Sequence, residues 1–149
     1  MDAREYMETL SESAARVRQI GRDMEHMRND ESWRTAAPVA VTGGSTSDPT
    51  AARAARHIES IRRKVEELKA LAPTVREGVA VCDGTSRAIG ERYGKTLLLR
   101  YAHGMRWADV AARMGCTIRT CHLRHDVALD YIEDVGLARA VRGLDRGEG

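Results

Sequence analysis

Cys116, Cys121, His122 and His125 fall within ten residues of one another, and all four side-chain types can ligate a metal ion. Cys121 and His125 stand four apart, so on a helix they share one face and two ligands are geometrically possible. Zinc knuckles, however, normally pair two cysteines across two to four residues and two histidines across three to five. Here both pairs collapse onto one segment, with only two residues between the histidines. The spacing favours core packing, and no metal is expected. Arg119, Thr120, His122 and Leu123 form a second set, flanked by Thr117 and Arg124. An arginine can donate two hydrogen bonds to guanine, and hydroxyl or imidazole groups can donate or accept at base edges. Signals for enzyme chemistry are missing: there is no Gly-rich loop ending in Gly-Lys-Ser/Thr and no Gly-x-Ser-x-Gly. Gly43-Gly44-Ser45-Thr46 lacks the lysine and reads as a linker. Neither catalysis nor a cofactor is therefore expected.

The elements that must position these residues are helical. Asp2 and Glu5 have capping-box spacing. Apolar residues follow at Ala3, Tyr6, Leu10, Val17, Ile20, Met24 and Met27, a coiled-coil-like stripe that should fade near Asn29 to Ser32. Periodicity is lost from Trp33 to Thr50, where Pro38, Gly43-Gly44 and Pro49 indicate a loop over 33–49. Asp48-Pro49 opens a second helix, with proline at its first position. Its seam runs Ala51, Ala54, Ile58, Ile61, Val65, Leu68, Ala72, Val75, Val79 and Cys82. Pro73 lies off that seam and predicts a kink or a break. Asp83-Gly84-Thr85-Ser86 reads as a turn and a domain boundary.

Three helices are expected beyond it, over about 91–103, 107–114 and 118–133. Gly104 and Gly115 suit helix ends that need a left-handed residue, and Thr117 is placed to cap the last helix. Two short helices joined by Gly115-Cys116-Thr117 have helix-turn-helix spacing. Val110, Ala111 and Met114 supply the buried face of the first helix, and Cys121, Ala128 and Ile132 that of the second. In this motif the start of the second helix enters a major groove, so Arg119, Thr120, His122 and Leu123 would meet base edges. Thr117, Arg106, Arg113 and Arg124 complete the candidate DNA-binding set. The tail 134–149 carries one weak stripe, Val135, Leu137, Val141 and Leu144.

The run Leu97-Leu98-Leu99-Arg100-Tyr101-Ala102-His103-Gly104-Met105-Arg106-Trp107, continued by Ala108-Asp109-Val110-Ala111-Ala112-Arg113-Met114-Gly115, carries a resemblance. With Thr117 to Cys121 and His125-Asp126-Val127-Ala128-Leu129, it resembles small phage transcription regulators of the ArpU/RinA type. Their helix-turn-helix is itself similar to region four of primary sigma factors. The specific motif covers about 97–129, and the relatives share the order of N-terminal helix, Gly/Ser-rich loop and long second helix. The resemblance implies DNA binding, and it leaves RNA polymerase open as a partner. Arg106 stands where the relatives place a serine cap. Arg124 stands where they bury a leucine, and Leu123 where they place a polar residue.

Composition sets the remaining bounds. Leu, Ile and Val supply 27 of 149 residues, Ala 21 and Phe none, which suits narrow helical seams better than one large core. Net charge is only +2, but residues 85–133 hold eight basic and five acidic side chains. That modest positive balance is compatible with nucleic acid. No apolar run approaches a membrane span, the start lacks a secretory pattern, and three cysteines cannot all pair, so a cytoplasmic protein is expected.

The expectation is an all-α chain. A coiled-coil-like helical hairpin at 1–82 would oligomerise it through Leu10, Val17, Ile20 and Met24, as a homodimer or a higher homo-oligomer. A helix-turn-helix domain at 85–133 would bind double-stranded DNA as a transcription regulator of phage or mobile-element origin. The alternative is a phage assembly or packaging protein, or an interaction protein, that uses the helix-turn-helix as a docking module.

Overall fold

The computed structural model describes residues 2–29 and 49–145. Among them every regular element is a helix: α1 (Ala3–Asn29), α2 (Pro49–Ile89), α3 (Glu91–Leu97), α4 (Trp107–Met114), α5 (Ile118–Val135) and α6 (Leu137–Arg142), with one π-helical turn at Leu98–Ala102 between α3 and α4. The expected all-α class is therefore observed. The loop expected at 33–49, with Trp33, Pro38 and the Asp48 cap, lies outside the described residues except for Pro49, which begins α2.

Helix α1 starts where its first residues dictate. Asp2 Oδ1 accepts from the Glu5 backbone N–H at 2.7 Å, and Glu5 Oε2 accepts from the Asp2 N–H at 3.2 Å. This reciprocal pair satisfies two donors that a helix start leaves open. A third donor is met from far along the chain: the Ala3 N–H donates to Glu133 Oε2 at 2.7 Å. Helix α2 continues through the exposed Pro73, so neither a break nor a second helix occurs there.

The chain divides into two compact units, 17–70 and a second made of 1–16 with 71–149. This corrects the boundary expected at 83–86. Those residues are helical, and Gly84 and Thr85 are buried. Thr85 Oγ1 donates to the Val81 carbonyl at 2.8 Å, so its hydroxyl is satisfied inside the helix. Glycine serves close approach here rather than a turn. A methyl group on Gly84 would meet the Ala140 carbonyl, and one on Gly94 would meet the Cys82 carbonyl and Ser86.

The larger unit holds two apolar clusters. The main one joins Tyr6, Met7 and Leu10 of α1, Val81 and Cys82 of α2, Leu97, Tyr101, Tyr131, Ile132 and Ala140. The stretches 1–16 and 71–82 therefore belong to the core of the C-terminal helices and not to a separate hairpin domain. Nor is 134–149 merely a tail. Ala140 of α6 is fully buried, and Tyr131 Oη donates to the Leu144 carbonyl at 2.6 Å. The smaller cluster joins Leu99, Val110, Ala111 and Cys121, with Met105, Trp107, Met114 and Cys116 against it. The π-helical turn replaces the plain helix expected to His103. Around it Leu97 and Tyr101 enter the main core while Leu99 enters the smaller one.

In the other unit, Lys64 Nζ pairs with Asp23 Oδ2 at 3.5 Å, joining α1 to α2. Of the four residues expected to bind a second copy, Leu10 and Ile20 are buried within their own chain, while Val17 and Met24 are half-buried. This seam is therefore largely occupied inside the chain. The large apolar side chain left exposed on α2 is Ile58, at 58%.

Candidate nucleic-acid interface

Helices α4 and α5 are joined by Gly115, Cys116 and Thr117, and local chemistry fixes each part of the joint. Gly104 before α4 and Gly115 after it sit at φ 67° and 68°, the left-handed region that disfavours side chains. The Cys116 N–H donates to the Ala111 carbonyl at 3.0 Å and closes the end of α4. Thr117 begins α5 as expected: its hydroxyl accepts from the Thr120 N–H at 3.1 Å and donates to Thr120 Oγ1 at 3.0 Å. The start of α4 lacks such a cap. Arg106 occupies the cap position, makes no side-chain cap and pairs with Asp109 at 3.3 Å. Arg106→Ser supplies the missing acceptor and is expected to raise stability by about 1 kcal/mol, read from urea unfolding. A loss of stability would mean that the exposed Arg106–Asp109 pair outweighs a cap.

Cys121, Ala128 and Ile132 face the core, as their spacing requires, and so does His125. The opposite face of α5 exposes Arg119, His122, Leu123 and Asp126, with Thr120 half-buried beside them. Leu123 is 58% exposed, so the outward leucine is real. Arg124 is half-buried. Among the described residues it pairs with no acid, and it donates to Cys116 Sγ at 3.7 Å. Thr117, Arg106 and Arg113 are exposed around the two helices. Further along α5 the exposed side chains become acidic: Asp126, Asp130, Glu133 and Asp134. A polyanion is therefore favoured only at the first turns, where the helix dipole also presents its positive end.

Sequence spacing did not reveal what supports this face from behind. Trp107 of α4 lies against the His122 ring at 4.5 Å and meets the His125 ring edge-on at 5.1 Å. The Arg100 guanidinium covers the Trp107 ring at 5.0 Å and donates to the Met105 carbonyl at 3.0 Å. His125 Nε2 lies 2.6 Å from Tyr101 Oη, and its Nδ1 lies 3.2 Å from Asp126 Oδ1. A neutral ring meets both neighbours: Nε2 accepts from the phenol and Nδ1–H donates to the carboxylate. Arg4, Glu8, Arg100, Trp107, His122 and Asp126 line a depression beside α5. Its mixture of signs does not make an anion site. The two thiols and two imidazoles of this stretch also diverge. Cys116 and Cys121 face each other, while His125 turns to Tyr101.

Burial holds the His125 pKa below the usual histidine value of 6.5, against the opposing pull of Asp126, and raises that of Tyr101. The folded state thus prefers neutral His125, while the unfolded chain binds a proton in the ordinary range. This contribution to stability is complete above about pH 6.5 and is lost as the pH falls from there towards the lowered folded value. The His125→Gln variant is expected to lose this component of the pH dependence in unfolding followed from pH 8 to 5. A variant curve parallel to that of the parent would place the titration elsewhere.

Comparison of the chain with known protein families, characterised proteins and solved structures finds no match.

Proposed function

We propose that this chain is a sequence-specific, double-stranded-DNA-binding transcription regulator that acts through a helix-turn-helix formed by α4 and α5. One observation carries the reading. The Thr117-capped start of α5 presents Arg119, His122 and Leu123 outward, and Arg119 pairs with no acid among the described residues. An unoccupied arginine on the first turns of a second helix suits recognition of a base edge. Arg113 and Arg106 are exposed nearby in the chain and suit phosphates. The phage-regulator resemblance of 97–129 points the same way. Two copies on one operator, with RNA polymerase as a further contact, complete the proposal. The acidic far half of α5 limits non-specific affinity, so preference rests on a few base contacts.

The test is selection of bound fragments from random DNA at a fixed, stated salt concentration. A defined sequence is expected to be enriched. Arg119→Ala should cost about 1–3 kcal/mol at that site and relax one base position. Arg113→Ala should weaken all sequences alike and flatten the salt dependence by about one unit of slope. A second reading, a protein-docking module of an assembly protein, draws on the exposure of Leu123 and Val127, 58% and 44%, above the acidic residues of α5. It replaces the first if Arg119→Ala leaves DNA binding unchanged while Leu123→Asp abolishes association with a partner protein.

A further inference from the structure

Three free cysteines have different surroundings. Cys82 is buried in the main core, where desolvation and the Asp83 carboxylate push its thiol up to about 12. Cys121 is fully buried in the smaller core. Cys116, in the joint between α4 and α5, is half-exposed, and its sulfur lies 3.3 Å from Cys121 Sγ. The Arg124 guanidinium donates to Cys116 Sγ at 3.7 Å. A pair of facing sulfurs, one reachable from solvent and held beside a fixed positive charge, is an arrangement suited to thiol–disulfide exchange.

We propose that Cys116 and Cys121 are a reversible modification site, closing to an intramolecular disulfide by exchange with a small-molecule disulfide such as oxidised glutathione. In the first step the Cys116 thiolate attacks one sulfur of the oxidant. The oxidant's S–S bond breaks, a mixed disulfide forms on Cys116, and one glutathione thiolate leaves and takes up the proton that Cys116 lost. In the second step Cys121 loses its proton to solvent and attacks the Cys116 sulfur. The mixed disulfide breaks and the second glutathione leaves as a thiolate that is protonated in turn. Two protein thiols are oxidised and one disulfide is reduced to two thiols.

The order follows from access. Burial and the neighbouring Cys116 sulfur push the Cys121 thiol up to about 11, which suits it poorly to initiate. Its contact with Cys116 supplies the high effective concentration that the second step needs. Bond formation requires the sulfurs to close by roughly 1.3 Å from their 3.3 Å separation. Arg124 keeps positive charge beside the sulfur that is charged in the first step. This site is independent of the DNA reading.

The experiment treats the full chain with oxidised glutathione under anaerobic conditions, then blocks remaining thiols with N-ethylmaleimide in denaturant and digests with trypsin. Cleavage after Arg119 places the two cysteines on separate peptides, so a bridge appears as their linked mass. The expected result is that linked mass from monomeric chains, alkylated Cys82, and full reversal by dithiothreitol. Cys121→Ser should stop at a glutathione adduct on Cys116. Cys116→Ser should modify Cys121 at least tenfold more slowly than Cys116 reacts in the parent. The proposal is overturned if parent chains leave both cysteines alkylated, stop at the adduct, or link only between two chains. Equal reactivity of the two single variants overturns the assigned order.

Discussion

Gly84→Ala is expected to lower the unfolding free energy by about 3 kcal/mol or more, because overpacking against immovable backbone lies at the costly end of its range. The added methyl would collide with the carbonyl of Ala140, and no rotamer change can move it away. Gly94→Ala should be comparably severe, since it meets the Cys82 carbonyl. Two further glycines serve as controls. For Gly78→Ala the nearest atoms belong to the Leu10 side chain, its Cδ1 2.5 Å away, rather than to backbone, so the cost should be smaller. Gly21 is exposed in mid-helix with nothing within 4 Å, and Gly21→Ala should stabilise by about 0.5–1 kcal/mol. Urea unfolding of the four variants gives the ranking. A Gly84→Ala protein as stable as its parent would show that α6 does not rest on α2.

The second large effect concerns Leu10, which is 1% exposed and belongs to the main core. Leu10→Ala should cost about 2–5 kcal/mol, and Leu10→Asp at least as much, because the carboxylate must be buried or expel its surroundings. The expectation from the sequence alone is different: Asp at Leu10 and Val17 should produce monomers that retain a folded 91–133 segment. Since Leu10 shares its core with Leu97, Tyr101, Tyr131 and Ile132, its loss should instead unfold those helices together. Thermal unfolding followed alongside sedimentation distinguishes the two. A Leu10→Asp variant that keeps the parental melting temperature and changes only its sedimentation would restore Leu10 to an intermolecular seam. Ile58→Asp, at an exposed position, is the cleaner probe of association.

Features encoded within a few residues were legible. The Asp2–Glu5 box, Pro49 at the start of α2, Gly115 in the left-handed region and the Thr117 cap all rest on hydrogen bonds or backbone sterics spanning four residues or fewer. Apolar spacing likewise put Cys121, Ala128 and Ile132 inside and Arg119, His122 and Leu123 outside. The same local logic misread 83–86, because Asp-Gly-Thr-Ser has turn composition. What keeps it helical lies elsewhere in the chain: α6 and α3 approach so closely that only glycine fits at 84 and 94.

By itself the sequence determined α1, α4, α5, the Asp2 and Thr117 caps and the faces of α5, because neighbouring backbone groups and a 3.6-residue period act over short range. Tertiary structure alone decided which helices share a core, and hence that 1–16 and 71–149 form one unit and 17–70 another. It also decided that Glu133 meets the start of α1, that His125 is buried against Tyr101, and that Cys116 faces Cys121 beside Arg124. The first two contacts join residues 130 and 24 positions apart, which no local periodicity can specify. The third joins nearby residues across the locally built α4–α5 joint, yet what holds Cys121 buried against it is its packing with Leu99, Val110 and Ala111, brought together from separate helices.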